Sequence, residues 1–181
     1  MIIVEGPDNS GKTTLIDKLR AEFGLRLVKP VAGPPKDSWD LYTRCEYIIK
    51  QANICLSKRL IVDRISLIGE TIYGPICRGK NLWNEIPNLK ADLDYALHCL
   101  DPFYIYCRPP LSVIQDLKTH QVKDYDTEEH LDKIKKESAL IVKAYDNYFN
   151  PFSRHRLYAY DYTDSTSYSN LINILKEYLK W

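Results

Sequence analysis

Gly6-Pro7-Asp8-Asn9-Ser10-Gly11-Lys12-Thr13 follows the apolar run Met1-Ile2-Ile3-Val4-Glu5 and precedes a stretch with Leu15, Leu19 and Phe23 at helical spacing, closed by Gly24. A strand, a G-x-x-x-x-G-K-[ST] loop and a helix in that order make a phosphate cradle. Its glycines let backbone N–H groups turn inward around phosphate oxygens, and the helix N-terminus adds the positive end of its dipole. In this reading Asn9, Ser10, Gly11, Lys12, Thr13 and Thr14 hold ATP. Lys12 neutralises the β- and γ-phosphates and the Thr13 hydroxyl ligates Mg²⁺. The alternative is a Gly-rich turn with a solvent lysine, against which the flanking strand and helix speak.

Outward from this loop the chain alternates short apolar runs with longer helical patterns, the signature of an α/β fold with a parallel sheet. Met1–Glu5 is expected to open the sheet with no leader before it. Further strands are expected at Leu25–Val28, Arg59–Asp63, Phe103–Cys107 and Leu157–Asp161. Helices are expected over Gly11–Phe23, Trp39–Lys58, Ser66–Tyr73, Leu89–Leu100, Leu111–Leu117, Glu128–Phe149 and Tyr168–Leu179. Lys29-Pro30-Val31-Ala32-Gly33-Pro34-Pro35 can be neither helix nor central strand, and Gly74–Gly79 reads as a break between helices. The expected architecture is a three-layer P-loop NTPase sandwich, five parallel strands flanked by helices, in a single domain over residues 1–181.

Composition excludes several other classes. With 45 % hydrophobic and 27 % charged residues, the 181-residue chain is not a disordered one. Lys plus Arg number 25 against 24 Asp plus Glu, a net charge of +1, so nothing global steers it to nucleic acid or an anionic membrane. Its apolar runs, such as Ala139-Leu140-Ile141-Val142, are too short to span a bilayer. Five cysteines without a C-x-x-C pair read as reduced thiols, which implies a cytoplasmic protein. A GTP switch would need D-x-x-G after its strand and N-K-x-D later; Asp63 is followed by Arg64-Ile65-Ser66, and N-K-x-D does not occur.

Asp63-Arg64 closes an apolar strand, where an open α/β sheet places its ligand-binding groups. An aspartate there can act around Mg²⁺, and the planar fork of an arginine can grip a phosphate. An ordinary ion pair at a strand end is the alternative.

At these residues the chain resembles the thymidylate kinases. Glu5-Gly6-Pro7-Asp8-Asn9-Ser10-Gly11-Lys12-Thr13-Thr14 is similar to their E-G-x-D-x-x-G-K-[ST]-T loop. Lys29-Pro30 falls where that family has a basic residue and a proline, and Asp63-Arg64 with Gly69 and Tyr73 resembles its D-R strand end and S-G-x-x-Y segment. The resemblance implies that Asp8 approaches the acceptor sugar, that Asp63 acts around Mg²⁺ and the reacting groups, and that Arg64 clamps the acceptor phosphate. It places Trp39, Tyr42 and Arg44 on the helix forming the acceptor-base pocket, with Tyr42 and Tyr73 near base or sugar, although core packing is the alternative for any of the 14 tyrosines. It sets Thr163 and Asp164 beside the adenine, and it implies a homodimer. The family's lid, about residues 117–126, usually carries arginine; here it offers Lys118, His120 and Lys123, so Lys118, Lys123 or Arg108 must supply the transition-state cation. A compact chain with such a lid would suit a phage-encoded member working in the host cytoplasm.

The expected activity is transfer of the ATP γ-phosphoryl to a deoxypyrimidine monophosphate such as dTMP. Two rivals stay open. A deoxynucleoside kinase phosphorylates a neutral 5′-hydroxyl and needs a carboxylate base, whereas this chain offers Lys29 after its second strand. A nucleotide-binding ATPase or regulator would account for a lid without arginine.

Overall fold

The computed structural model describes residues 1–29, 31, 33–55, 59–116, 128–153 and 155–180. β1 (Ile2–Glu5) is buried along its whole length and pairs in parallel with β3 (Leu60–Asp63) on one side and β4 (Phe103–Cys107) on the other. In the register, Ile3 stands beside both Val62 and Tyr104. β2 (Arg26–Val28) and β5 (Leu157–Tyr160) complete a five-stranded, all-parallel sheet in the order β2-β3-β1-β4-β5. Strands covered on both faces need apolar side chains at nearly every position, which is why β1, β3 and β4 read as hydrophobic runs, while the edge strands β2 and β5 keep exposed residues.

The period-2 alternation of each strand splits the core in two. Ile2, Val4, Ile61, Phe103 and Ile105 face α1 (Lys12–Phe23) and α7 (Ser167–Tyr178), against Leu15, Leu19, Leu171 and Leu175. Ile3, Leu60, Val62, Tyr104 and Tyr106 face the other layer. That layer contains α2 (Ser38–Cys55), α3 (Ser66–Arg78), α4 (Pro87–Cys99) and α6 (Glu128–Phe149). A short α5 (Leu111–Gln115) packs against α6. The result is the expected α/β sandwich of three layers.

One expected break is absent. α3 runs on through Pro75 to Arg78, where the partly buried Ile76 and Cys77 extend the core-facing stripe of Leu67, Ile68 and Ile72. Gly74 is there for close approach: a Cβ on it would stand 2.5 Å from Glu70 Oε1 and 2.7 Å from the Lys80 carbonyl oxygen. The buried Glu70 carboxylate accepts the Leu82 N–H at 2.9 Å and pairs with Arg78, stapling the turn. A 3-10 turn at Leu82–Glu85, unforeseen from the periodicity, starts where the Asn81 side chain accepts the Trp83 N–H. Elsewhere the ends move by a residue or two. Residues 56–58, expected in the second long helix, and Leu117 lie outside the described residues.

Candidate active site

The C-terminal ends of β1, β3, β4 and β5 meet at one edge of the sheet, and the loop after β1 lies across them. The loop is fitted to its neighbours at two glycines. Gly6 has φ 144°, and a Cβ on it would stand 2.6 Å from the Cys107 carbonyl oxygen at the end of β4. Gly11 has φ 80°, and its Cβ would stand 2.7 Å from the Tyr162 ring, just past β5. α1 starts immediately after, and its N-cap Gly11 brings no side chain to cap the first-turn N–H groups. Thr13 and Thr14 are exposed on that turn. Asn9, at φ 60°, sends its side-chain amide away from the loop to the carbonyls of Val113, Ile114 and Asp116, so its part in holding an anion falls to its backbone.

Lys12 is buried and folds back over the loop, donating to the Pro7 carbonyl and, at 3.2 Å, to Ser10 Oγ. Burial, seconded by the Arg64 charge, lowers its pKa to about 8, while Asp8, Cys107 and Asp63 oppose the shift. A lysine that uses loop oxygens as stand-in partners fits a site built for phosphate oxygens.

On the other side of the loop, Arg64, Asp8 and Tyr73 form one cluster. Arg64 Nη2 donates to Asp8 Oδ1 at 2.8 Å, to the Gly6 carbonyl at 2.9 Å and to Tyr73 Oη at 3.3 Å. The Tyr73 hydroxyl donates to Asp8 Oδ2 at 3.3 Å, and its ring lies 5.4 Å from the guanidinium carbon. Burial works against the charge on Arg64, but Asp8 and the surrounding tyrosines and Glu5 hold its pKa well above the ordinary value. Its Nε is enclosed without a hydrogen-bond partner. The backbone there is left-handed, φ 64°, with the Arg64 N–H donated to the Val4 carbonyl at 3.0 Å. The next N–H, of Ile65, goes to Glu5 Oε1 at 2.7 Å, and the Tyr145 hydroxyl of α6 donates to Glu5 Oε2 at 3.2 Å. Burial raises the Glu5 pKa to about 7 against the pull of these hydrogen bonds and of Arg64 and Lys12.

Other expected site residues are placed differently. Arg44 is buried under the loop that follows β2: it donates to the carbonyls of Val31, Gly33 and Pro34 and forks onto Asp40 at 2.7 and 3.1 Å. Its donors are committed to shaping that loop. Arg108 forks onto Asp146 of α6 at 2.9 and 3.1 Å, and the Tyr106 hydroxyl shares that carboxylate. Thr163 and Asp164 turn their polar atoms into their own loop, onto Asp161 and Thr166. It is Tyr162, just before them, that meets the loop after β1. Trp39, 65 % exposed, stacks on Tyr42 at 5.3 Å, and the Tyr42 hydroxyl donates to Glu46. Lys29 is exposed, Asp63 is half-buried at the end of β3, and Lys118 and Lys123 lie outside the described residues. Glu5, Tyr145 and Tyr162 were not anticipated as site residues. A carboxylate ending an apolar strand just before the loop was the available signal for Glu5; the two tyrosines carry none in sequence.

Solved structures share this five-stranded parallel fold. The YorR protein of Bacillus subtilis, in complex with phosphorylated GDP, superposes with a TM-score of 0.63 over 98 % of this chain and 96 % of its own, at 17 % identity. Deoxyadenosine kinase from M. mycoides with bound dATP gives a TM-score of 0.56, covering 97 % of this chain and 98 % of its own, at 18 % identity. The same enzyme with bound dCTP gives 0.51 over 98 % and 100 %, at 14 % identity. At this level of identity the likeness is one of fold. No protein-family model matches the chain, and no curated protein sequence matches it.

Proposed function

We propose that this chain is an ATP- and Mg²⁺-dependent nucleoside monophosphate kinase whose acceptor is a deoxypyrimidine monophosphate of the dTMP type. The observation that carries the reading is the Arg64 guanidinium, set by Asp8 and Tyr73 against the Gly6 end of the phosphate loop. One edge of the sheet thus offers a cradle for a donor triphosphate and a cation for an acceptor phosphate. The loop N–H groups and Lys12 hold the β- and γ-phosphates. The hard oxygens of Thr13 and Asp63 suit Mg²⁺, which when bound would offset charge on the phosphate oxygens.

An oxygen of the acceptor phosphate attacks the γ-phosphorus, the bond from that phosphorus to the β,γ-bridging oxygen breaks, and ADP leaves with the electron pair. The attacking oxygen is already anionic, so no strong base is required. The work of the protein is to align two polyanions and neutralise them, with Lys12 on the donor and Arg64 on the acceptor. In this reading Lys118 or Lys123 adds a cation over the transferred group, and Trp39 and Tyr42 flank the acceptor base.

The fold shared with deoxyadenosine kinase favours a second reading, in which the acceptor is a nucleoside 5′-hydroxyl and Asp63 takes its proton. ADP release from Mg²⁺–ATP separates the two. The panel is dTMP, dUMP, 5-hydroxymethyl-dUMP, dCMP, dGMP, dAMP, thymidine, deoxycytidine, deoxyadenosine and no acceptor. Stimulation by a pyrimidine monophosphate, with the diphosphate as product, is expected. Stimulation by nucleosides alone replaces the reading with the second, and release indifferent to every acceptor overturns both.

A further inference from the structure

We propose that Glu5 is a positioning residue for Arg64, its carboxylate holding the Ile65 N–H and thereby the backbone turn from which the guanidinium reaches an acceptor phosphate. The proposal rests on the kinase reading of this site. Left-handed backbone is costly for a residue with a Cβ and persists only where its surroundings over-determine it. Arg64 is such a residue, at φ 64°. The peptide N–H groups on both sides of its Cα are anchored on β1: its own on the Val4 carbonyl and that of Ile65 on the Glu5 carboxylate. Glu5 directly precedes Gly6, whose carbonyl receives Arg64 Nη2 at 2.9 Å. Donor loop and acceptor cation are therefore referenced to the same two residues.

Glu5 does not touch substrate. Its side chain is fully enclosed and both oxygens have donors, Ile65 N–H and Tyr145 Oη. An apolar residue would fill the space without the desolvation that a buried carboxylate suffers, so packing alone does not account for an acid here. The titratable groups facing it are Lys12 from α1, Arg64 at the end of β3, Tyr145 and Tyr148 from α6, and Tyr104 and Cys107 from β4. The two cations favour its ionised form and enclosure opposes it.

The test compares Glu5→Met with Glu5→Gln, using dTMP as acceptor and a non-hydrolysable ATP analogue in calorimetry. Glutamine keeps an oxygen for the Ile65 N–H and methionine does not. Glu5→Met should raise KM for dTMP at least tenfold and shift the Kd of the analogue less than threefold, while Glu5→Gln returns KM to within threefold of the unsubstituted protein. Equal losses on both substrates, or glutamine no better than methionine, would overturn the proposal. A second readout uses the unsubstituted chain: a scalar coupling across the hydrogen bond should join the Ile65 amide nitrogen to the Glu5 side-chain carboxyl carbon. Absence of that coupling in the folded protein would overturn the proposal even if Glu5→Met does not fold. If no acceptor stimulates ADP release, the proposed function falls, and the coupling still decides whether Glu5 holds the turn.

Discussion

Arg64 and Asp8, 56 residues apart in sequence, meet through a 2.8 Å ion pair between the end of β3 and the phosphate loop. Both side chains keep partial contact with solvent, so the pair adds little to stability, about 0–1 kcal/mol. Its effect is geometric. Asp8 and the Gly6 carbonyl hold one end of the guanidinium, and Nε is left without a partner inside the site.

Replacing Arg64 by alanine should therefore act on the acceptor and spare ATP. We expect KM for the acceptor monophosphate to rise by about 10²-fold, as for a lost charge-assisted contact. The Kd for ATP, by calorimetry, should move less than threefold. Comparable losses in both would remove Arg64 from the acceptor side.

Lys12→Ala should reduce phosphoryl transfer by about 10²–10³-fold with the far-UV circular dichroism unchanged. Removing a buried cation whose partners are loop oxygens takes charge stabilisation from the transferred group without opening the core. Turnover near that of the parent would place the donor site elsewhere.

The two glycines Gly6 and Gly24 should differ in their tolerance of alanine. A methyl at Gly6 collides with the Cys107 carbonyl oxygen at 2.6 Å and with Ser10 Oγ at 2.9 Å, whereas Gly24, at φ 63°, faces open space. Urea unfolding should show a loss of about 2–4 kcal/mol for Gly6→Ala. Gly24→Ala should lose about 1 kcal/mol, from backbone strain alone. Only the first should impair ATP binding.

Arg44→Ala should destabilise the chain by about 2–3 kcal/mol, because the carbonyls that it satisfies beneath the loop after β2 lose their donor. Arg44→Lys should recover less than half of this, since one ammonium cannot reproduce a planar fork over three carbonyls and a carboxylate. Urea midpoints of the three proteins decide it.

Glu5 should leave a signature in the pH dependence of stability. Its pKa rises from 4.5 to about 7 on folding, so between these values the folded state keeps a proton that the unfolded chain releases. The stabilising contribution is fully present below pH 4.5 and is lost as pH climbs through 7. Glu5→Gln has no such proton. Its stability relative to the parent should increase by roughly 3 kcal/mol between pH 4 and pH 8. A flat difference across that window would mean that the carboxyl is not held in its neutral form by burial.

Much of this architecture is legible before any coordinates. The central strands β1, β3 and β4 are apolar runs because both their faces are covered, and the loop between β1 and α1 follows the spacing of a phosphate cradle. The helix ends were less legible. Pro75 reads as a breaker, yet α3 crosses it, because Ile76 and Cys77 pack, partly buried, against the same core as Leu67, Ile68 and Ile72. Arginines were legible as cations but not as partners. Arg44 spends its fork on Asp40, one turn back on α2, and on carbonyls of the loop after β2, whereas Arg108 spends its own on Asp146, which α6 brings from 38 residues away.

The sequence by itself determined the α/β layering, the glycine-rich loop after β1 and the cation at the end of β3, because each depends on local periodicity or on residues adjacent in the chain. Only the tertiary structure decided that Tyr73 and Asp8 share Arg64, that Tyr162 covers Gly11, and that Glu5 and Tyr145 meet behind the Arg64 turn. Those contacts join residues up to 140 positions apart. Arg64 meets Asp8, and Tyr162 meets Gly11, because parallel strands bring their C-terminal ends to one edge of the sheet. Tyr73 and Tyr145 reach that edge from α3 and α6, which pack against the face of the sheet.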